Sequence, residues 1–345
     1  MCKSFRYLDD LIHSEEEIVL DSDIVLSGTD DVEYEDGIEL DVDDLVIDGN
    51  GHAIDACGKT RIFNCTGENI TLKNITLKNA FSAENGGAIS IEEDSELTII
   101  DSAFISNRSG EDGGAIFNDE GKLTIRNSKF IENAAEEFGG AINNWGELDL
   151  IESVFSKNKA DFGGALHNSE KLNVLKSEIV ENTANCGAGL YNEDGDVSIT
   201  EAIFKGNGAE NCGGAIVNRN CDMQIDGSDF EGNVSENDGG AIHTMGELTI
   251  SECRFSKNTS KRDGGAIFGD VVDLSVKKSS FNANSTERNG GAILIYNGEM
   301  TIIESDLSDN VAEKSGGAIY LEKSVYESDN VSLKDNKPEN ISKKE

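Results

Sequence analysis

Proline is almost missing from this chain: Pro338 is the only one in 345 residues. That excludes a proline-rich or collagen-like chain and leaves nearly every backbone N–H free to enter a sheet ladder. Long apolar runs are missing too. No window approaches the length of a membrane span, and no basic stretch followed by an apolar run marks a signal peptide. Direct membrane insertion by this chain is therefore not expected. Positive charge is scarce: 29 basic residues stand against 67 acidic ones, a formal charge of -38, which opposes any sequence-independent attraction to nucleic acid or an anionic membrane. Histidine is sparse, and His13, His52, His167 and His243 are too scattered to form a metal-ligand set. The seven cysteines are odd in number and irregular in spacing, so they give neither a complete disulfide framework nor a zinc signature. Cys253 replaces a serine in a repeated small-residue row and reads as structural.

What the chain has in abundance is glycine in a fixed pattern. Gly113-Gly114-Ala115-Ile116 returns in variant form about every 26 residues. The first glycines are Gly86, Gly113, Gly139, Gly163, Gly187, Gly213, Gly239, Gly264, Gly290 and Gly316. One copy is altered, Gly187-Ala188-Gly189-Leu190. Units this short, carrying strand rather than helix signals, cannot bury an apolar face alone and must stack as a solenoid. Consecutive coils paired in parallel without intervening helices give a β-helix, and the crossover preference makes it right-handed.

Aligned on the glycines, the units show four inward columns. An aliphatic row runs from Ile89 to Ile319, and alternating pairs such as Leu97 and Ile99 follow on the next strand. A phenylalanine row includes Phe104, Phe130, Phe155, Phe204, Phe230, Phe255 and Phe281. The last column is Asn107, Asn133, Asn158, Asn182, Asn207, Asn233, Asn258, Asn284, Asn310 and Asn336, which the period stacks into a hydrogen-bonded ladder. Asn118, Asn144, Asn168, Asn192 and Asn218 suggest a second ladder. Sequons at Asn107, Asn233, Asn258 and Asn284 fall in the first ladder and should be inaccessible. Cys186 and Cys212 precede the glycines of consecutive units and should lie about 4.8 Å apart, within disulfide range. An apolar stack is preferred there over a disulfide.

The expected fold is thus all-β: a right-handed, single-stranded parallel β-helix of about 12 coils. Residues 1–17 form an N-terminal cap, whose Phe5, Leu8, Leu11 and Ile12 fall on one helical face. Residues 18–336 form the β-helix and 337–345 a C-terminal tail. The segment Asp30 to Asp44 is rich in acidic residues, yet it lacks the EF-hand order, so calcium is a minor alternative to a chain without cofactors.

Gly-Gly-Ala-Ile spaced from Phe-x-x-Asn resembles the passenger repeats of chlamydial polymorphic outer-membrane proteins. The lead-in Leu45-Val46-Ile47-Asp48-Gly49-Asn50-Gly51-His52-Ala53-Ile54-Asp55, with Asn69-Ile70-Thr71-Leu72-Lys73-Asn74-Ile75, is similar to adhesin-like surface proteins of methanogenic archaea. The resemblance implies a pectin-lyase-like β-helix, secreted or displayed on the cell surface and used in attachment, although no signal peptide or anchor is read in this chain.

The expected function is an adhesive or structural β-helix, non-catalytic, that binds carbohydrate or surface protein along an extended side face. If the aliphatic row points inward, the next residue of each strand points out. That exposes Phe117, Tyr191, Phe268 and Tyr320, with His167 and His243 between them and Trp145 nearby, as a ligand-binding strip. The alternative is a polysaccharide-active lyase or glycoside hydrolase on the same fold. Its least poor catalytic pair is Asp149 and Glu152, which share a coil.

Overall fold

The computed structural model describes residues 2–27 and 33–345. Asp30, at the start of the acidic segment named above, lies outside the described residues. The chain is a right-handed parallel β-solenoid of about 12 turns with a short N-terminal helix. It divides into two compact units, Met1–Leu172 and Asn173–Glu345.

In the first unit the helix spans Phe5–Ile12. Ser4 caps it, the hydroxyl accepting from Tyr7 N at 3.3 Å. Phe5, Leu8 and Ile12 are buried against the strands Ile24–Val25 and Ile38–Leu40 of the first coil. Tyr34 seals the contact, its ring 6.0 Å from Phe5 and its hydroxyl donating to Asp9 Oδ2 at 2.9 Å. An atypical end segment thereby covers apolar surface that no earlier coil covers.

Each coil contributes one strand to each of three parallel sheets. Sheet 1 holds the longest strands, among them Glu96–Ile100, Lys122–Arg126 and Glu147–Ile151. Sheet 2 starts at the glycine corner, as in Ile89–Ile91, Ile116–Asn118, Ile142–Asn144 and Leu166–Asn168. Sheet 3 carries the phenylalanine row, as in Ala103–Ile105, Lys129–Ile131 and Val154–Ser156. Phe104, Phe130 and Phe155 stack with centroids 4.6 Å apart. The corners between sheets 1 and 3 take left-handed backbone at Asp101, Asn127 and Glu152. Gly113 turns the glycine corner with φ +63, and a Cβ on Gly114 would lie 2.2 Å from Gly140 O, so neither position accepts a side chain.

The second unit repeats the plan, with Leu190–Glu193 to Ile341–Lys344 in sheet 2, Val197–Thr200 to Val325–Asp329 in sheet 1 and Glu178–Val180 to Ser332–Lys334 in sheet 3. A fourth sheet appears here. Thr183–Cys186, Gly208–Cys212, Val234–Ser235, Thr259–Ser260, Ser285–Thr286 and Val311–Ala312 pair side by side in the arm between the asparagine ladder and the glycine corner. At its start Cys186 and Cys212 form a disulfide, with Cα atoms 4.8 Å apart, beside a register shift between Ala184 and Cys186. The preferred apolar stack gives way to a covalent bond because the register sets the two sulfurs against each other.

The asparagine ladder forms within both units. Asn107 Nδ2 donates to Asn133 Oδ1 at 3.0 Å and to Leu77 O at 3.1 Å, and the backbone N of Asn107 shares the same Oδ1 at 3.0 Å. The pattern recurs from Asn182 through Asn336. These asparagines are buried, the four sequon positions included. The second ladder also forms, Asn118 and Asn144 donating to Asn144 and Asn168 at 2.7 Å, and Asn192 to Asn218 at 2.9 Å. The small row before the phenylalanines is a third: Ser128 Oγ accepts from Ser102 N at 3.1 Å, and Cys253 Sγ stands in as acceptor for Ser228 N. Burial pushes that thiol up to about 12, as befits a packing residue.

Candidate functional site

Period-two alternation places Phe117, His167, Tyr191, His243, Phe268 and Tyr320 on the outer side of sheet 2, but the outer side is not solvent. Phe117, His167, Tyr191 and Tyr320 are buried, and His243 and Phe268 are half-buried. The expected exposure is corrected by the arm, which folds back over this face before each glycine corner. A Cβ on Gly86 would touch Phe117 Cβ at 3.2 Å, and Phe138 lies 4.6 Å from the His167 ring. In the second unit His243 packs edge-on against Phe268 at 4.9 Å. Trp145 alone of the strip is well exposed, at 41 %, with its ring edge-on to Phe117 at 5.1 Å. These side chains form a thin second core between sheet 2 and the arm.

That core carries titratable groups. His167 Nδ1 lies 2.6 Å from Asn143 Oδ1, and burial holds the imidazole down to about 3. His243 is pushed down to about 4, by burial first and the Arg219 cation second. Asp112 is pushed up to about 6 by burial, although Phe138 N donates to its Oδ1 at 3.0 Å. Neutral histidines and a carboxyl raised by burial in a closed layer stabilise packing; they present nothing to a polymer outside.

Asp149 sits half-buried in the middle of Glu147–Ile151, beside Thr124 in register, and Glu152 is exposed at the left-handed corner that follows, φ 50. The hollows lie elsewhere. One of ≈ 670 Å³ in the first unit is lined by Asp48, Asn74, Asp101, Asn127 and Lys129. Its acids are already matched: Asn74 donates to Asp48 at 3.1 Å and Asn127 donates to Asp101. Among the described residues no three His, Cys, Asp or Glu side chains gather as a metal-binding group.

In the second unit a trough of ≈ 530 Å³ runs over the outer side of sheet 3, lined by Glu178, Lys205, Asp229, Glu231, Arg254 and Asn282 among others. Register explains the assembly. Lys205 neighbours Glu231, Asp229 neighbours Arg254, and Ser256 and Ser280 leave the floor low on the next positions. Glu231 lies 2.8 Å from Lys205 Nζ and 3.7 Å from Lys257 Nζ, and these ammonium groups hold it below the usual carboxylate range. Arg254 Nε donates to Asp229 Oδ1 at 2.7 Å. Asp229 and Glu231 are alternate residues of one strand, so their Cα atoms are about 6.6 Å apart and both side chains face out. No repeated column announces these residues in the sequence, because each occurs once at its place in the period.

A family described as a pectate lyase-like adhesive domain matches residues 13–107. The chlamydial polymorphic membrane protein repeat matches residues 101–119, 227–245 and 252–270, which bears out that part of the expected resemblance. Nothing among these findings supports the archaeal one. No curated protein matches the chain. Among solved structures, an alginate lyase described as AlyF-OU02 in complex with G6 is alike over 99% of this chain and 86% of its own, at 10% identity and TM-score 0.48. A PL6 alginate lyase in complex with a trisaccharide is alike over 99% and 85%, at 11% identity and TM-score 0.42. At these identities the likeness is one of fold. The expectation of a non-catalytic adhesive, with an enzyme as the less favoured alternative, is nonetheless corrected. The open side face along which that adhesive would bind its ligand is closed by the arm, and the polar trough that stays open lies over sheet 3.

Proposed function

We propose that the protein is a polysaccharide-active enzyme, a lyase or glycoside hydrolase, that cleaves a glycan lying in the trough over sheet 3 of residues 173–345. The observation that carries this reading is the outward pair Asp229 and Glu231 on one strand, flanked by Lys205 and Arg254 from neighbouring coils. With Cα atoms about 6.6 Å apart along one strand, two acidic side chains that leave the same face can set their carboxyl groups on either side of a glycosidic bond, the arrangement that glycoside hydrolysis uses. Glu231, held ionised by its lysines, is suited to accept a proton or to face developing positive charge. Lys205 and Arg254 are placed to receive an anionic group of the glycan, Arg254 by exchanging Asp229 for a substrate carboxylate. The Cys186–Cys212 disulfide and the resemblance to surface proteins support a place outside the cell.

The test is a panel of neutral and uronate-containing polysaccharides incubated with the full chain and followed for new chain ends. Unsaturated ends that absorb in the ultraviolet would identify elimination, and saturated reducing ends hydrolysis. A panel left uncut throughout would contradict the proposal.

A further inference from the structure

A second feature lies on the first unit, apart from the trough. On its arm, Phe81–Ser82 pairs in parallel with Arg108–Ser109, with Phe81 opposite Arg108. Bridges continue the row from Arg108 to Ala134 and from Ala134 to Lys159. Neighbours in parallel register point the same way, so Phe81, Arg108, Ala134 and Lys159 form one outward column at about 4.8 Å per step. Phe81 is 40 % exposed, a large apolar ring left open to solvent. The column borders a hollow of ≈ 550 Å³ whose lining includes Asp55, Asn79, Phe81, Ser106 and Arg108.

The charges single this column out. Acids outnumber bases 67 to 29 in this chain, and most cations near a carboxylate are claimed by it. Arg108 and Lys159 are exposed, and neither side chain makes an ion pair or hydrogen bond among the described residues. Asp55, the acid of the hollow, is occupied: Asn79 donates to it at 3.0 Å and Lys78 Nζ lies 3.4 Å away. Two unclaimed cations thus stand two steps apart, roughly 9.5 Å, with a small alanine between them and an aromatic ring at one end.

We propose that this column binds a strand of a carboxylated glycan, a chain of hexuronate units. One sugar ring lays its apolar C–H face on Phe81, where an aromatic surface beside polar groups suits an amphipathic ring. Its carboxylate meets the Arg108 guanidinium in the two-pronged geometry that a lysine does not reproduce. Asn79 and Ser106 offer polar edges to its hydroxyls, and Ala134 leaves room for the strand to reach Lys159, which takes a later carboxylate as a point charge. Glu84, Glu111 and Glu136 are exposed farther along the arm and bound the strip on the side toward the glycine corner. An uncharged glycan would leave both cations unmatched, so the site discriminates for acid. The inference does not depend on cleavage in the trough.

The experiment is calorimetric titration of the full chain carrying Lys205→Ala, Asp229→Asn, Glu231→Gln and Arg254→Ala, so that the trough neither cleaves nor holds an acidic glycan. The probes are an oligogalacturonate, its methyl ester and a glucose oligomer. The acidic oligomer should bind, and weaken with salt as an exposed ionic contact does. Arg108→Ala should weaken it roughly ten-fold or more, Lys159→Ala and Phe81→Ala roughly three- to ten-fold, and Lys122→Ala, an exposed cation already paired with Glu96, not at all. All of these side chains are exposed, and an unchanged thermal midpoint will show that the variants fold. Equal binding of the methyl ester, indifference to Arg108→Ala, or no heat from the oligogalacturonate would each overturn the proposal, and none of them would bear on the trough.

Discussion

Asn207 shows how much one side chain does in this fold. Its Nδ2 donates to Asn233 Oδ1 at 3.0 Å and to Ile179 O at 2.8 Å, while its Oδ1 accepts from the backbone and side chain of Asn182, both at 3.0 Å. Asn207→Ala would leave those buried partners unsatisfied, and we expect a loss of about 3 kcal/mol in urea unfolding; a loss under about 1 kcal/mol would show that the ladder merely follows the backbone. This column was legible from sequence because the residue type, the period and the need to satisfy a buried amide agree. The strip at Phe117, Tyr191 and Tyr320 was misread for a physical reason. Alternation tells which side of a strand a residue faces, but not what covers that side. The buried titratable groups there give a pH signature. His167 and His243 have folded values of about 3 and about 4, below the ordinary 6.5, so as pH falls through 6.5 the unfolded chain binds protons that the native state refuses. Asp112 acts oppositely: at about 6 it is raised, so it favours the fold as pH falls from 6 toward its ordinary 3.8. Two histidines outweigh one aspartate, and stability should drop by about 2–3 kcal/mol between pH 7 and 5. His243→Phe should remove a large part of that drop in thermal scans, and a drop of unchanged size would refute the assignment.

At the scale of the element, the arm is the part that sequence left indistinct. Its stretches, such as Ala134-Ala135-Glu136-Glu137-Phe138, carry no regular apolar alternation and read as loop. In the structure the corresponding segments of the second unit pair into a six-stranded sheet and roof the outer side of sheet 2. The altered corner at Gly187 follows the first strand of this six-stranded sheet. Ala188 replaces the second glycine and is fully buried, and the adjacent register shift is pinned by Cys186–Cys212. Closing a loop of 26 residues constrains the unfolded chain by about 3–4 kcal/mol in the chain-entropy account. Reduction, or Cys186→Ala with Cys212→Ala, should lower the unfolding midpoint and speed proteolysis within residues 183–212. Equal protease resistance of the reduced and oxidised chains would mean that hydrogen bonding alone holds the arm.

For the whole molecule, the repeat and the function separate cleanly. Columns that recur every coil make the core and the ladders, and burial withdraws them from any ligand. Recognition falls to residues that break the period, such as Arg254 among the serines and acids of sheet 3 or Phe81 and Arg108 on the arm. A single sequence marks these poorly, since a charged residue on an outward position looks like solvated surface until the register sets its neighbours. The central claim is that the trough of residues 173–345 cleaves a polysaccharide. The most direct measurement compares the wild-type chain with Asp229→Asn Glu231→Gln on a polysaccharide that the wild type depolymerises, at matched fold and concentration. The account predicts that the rate falls at least a hundred-fold, roughly the contribution of a positioned acid–base group, while Asp149→Asn Glu152→Gln cuts at the wild-type rate. Undiminished cleavage by the trough variant would contradict it.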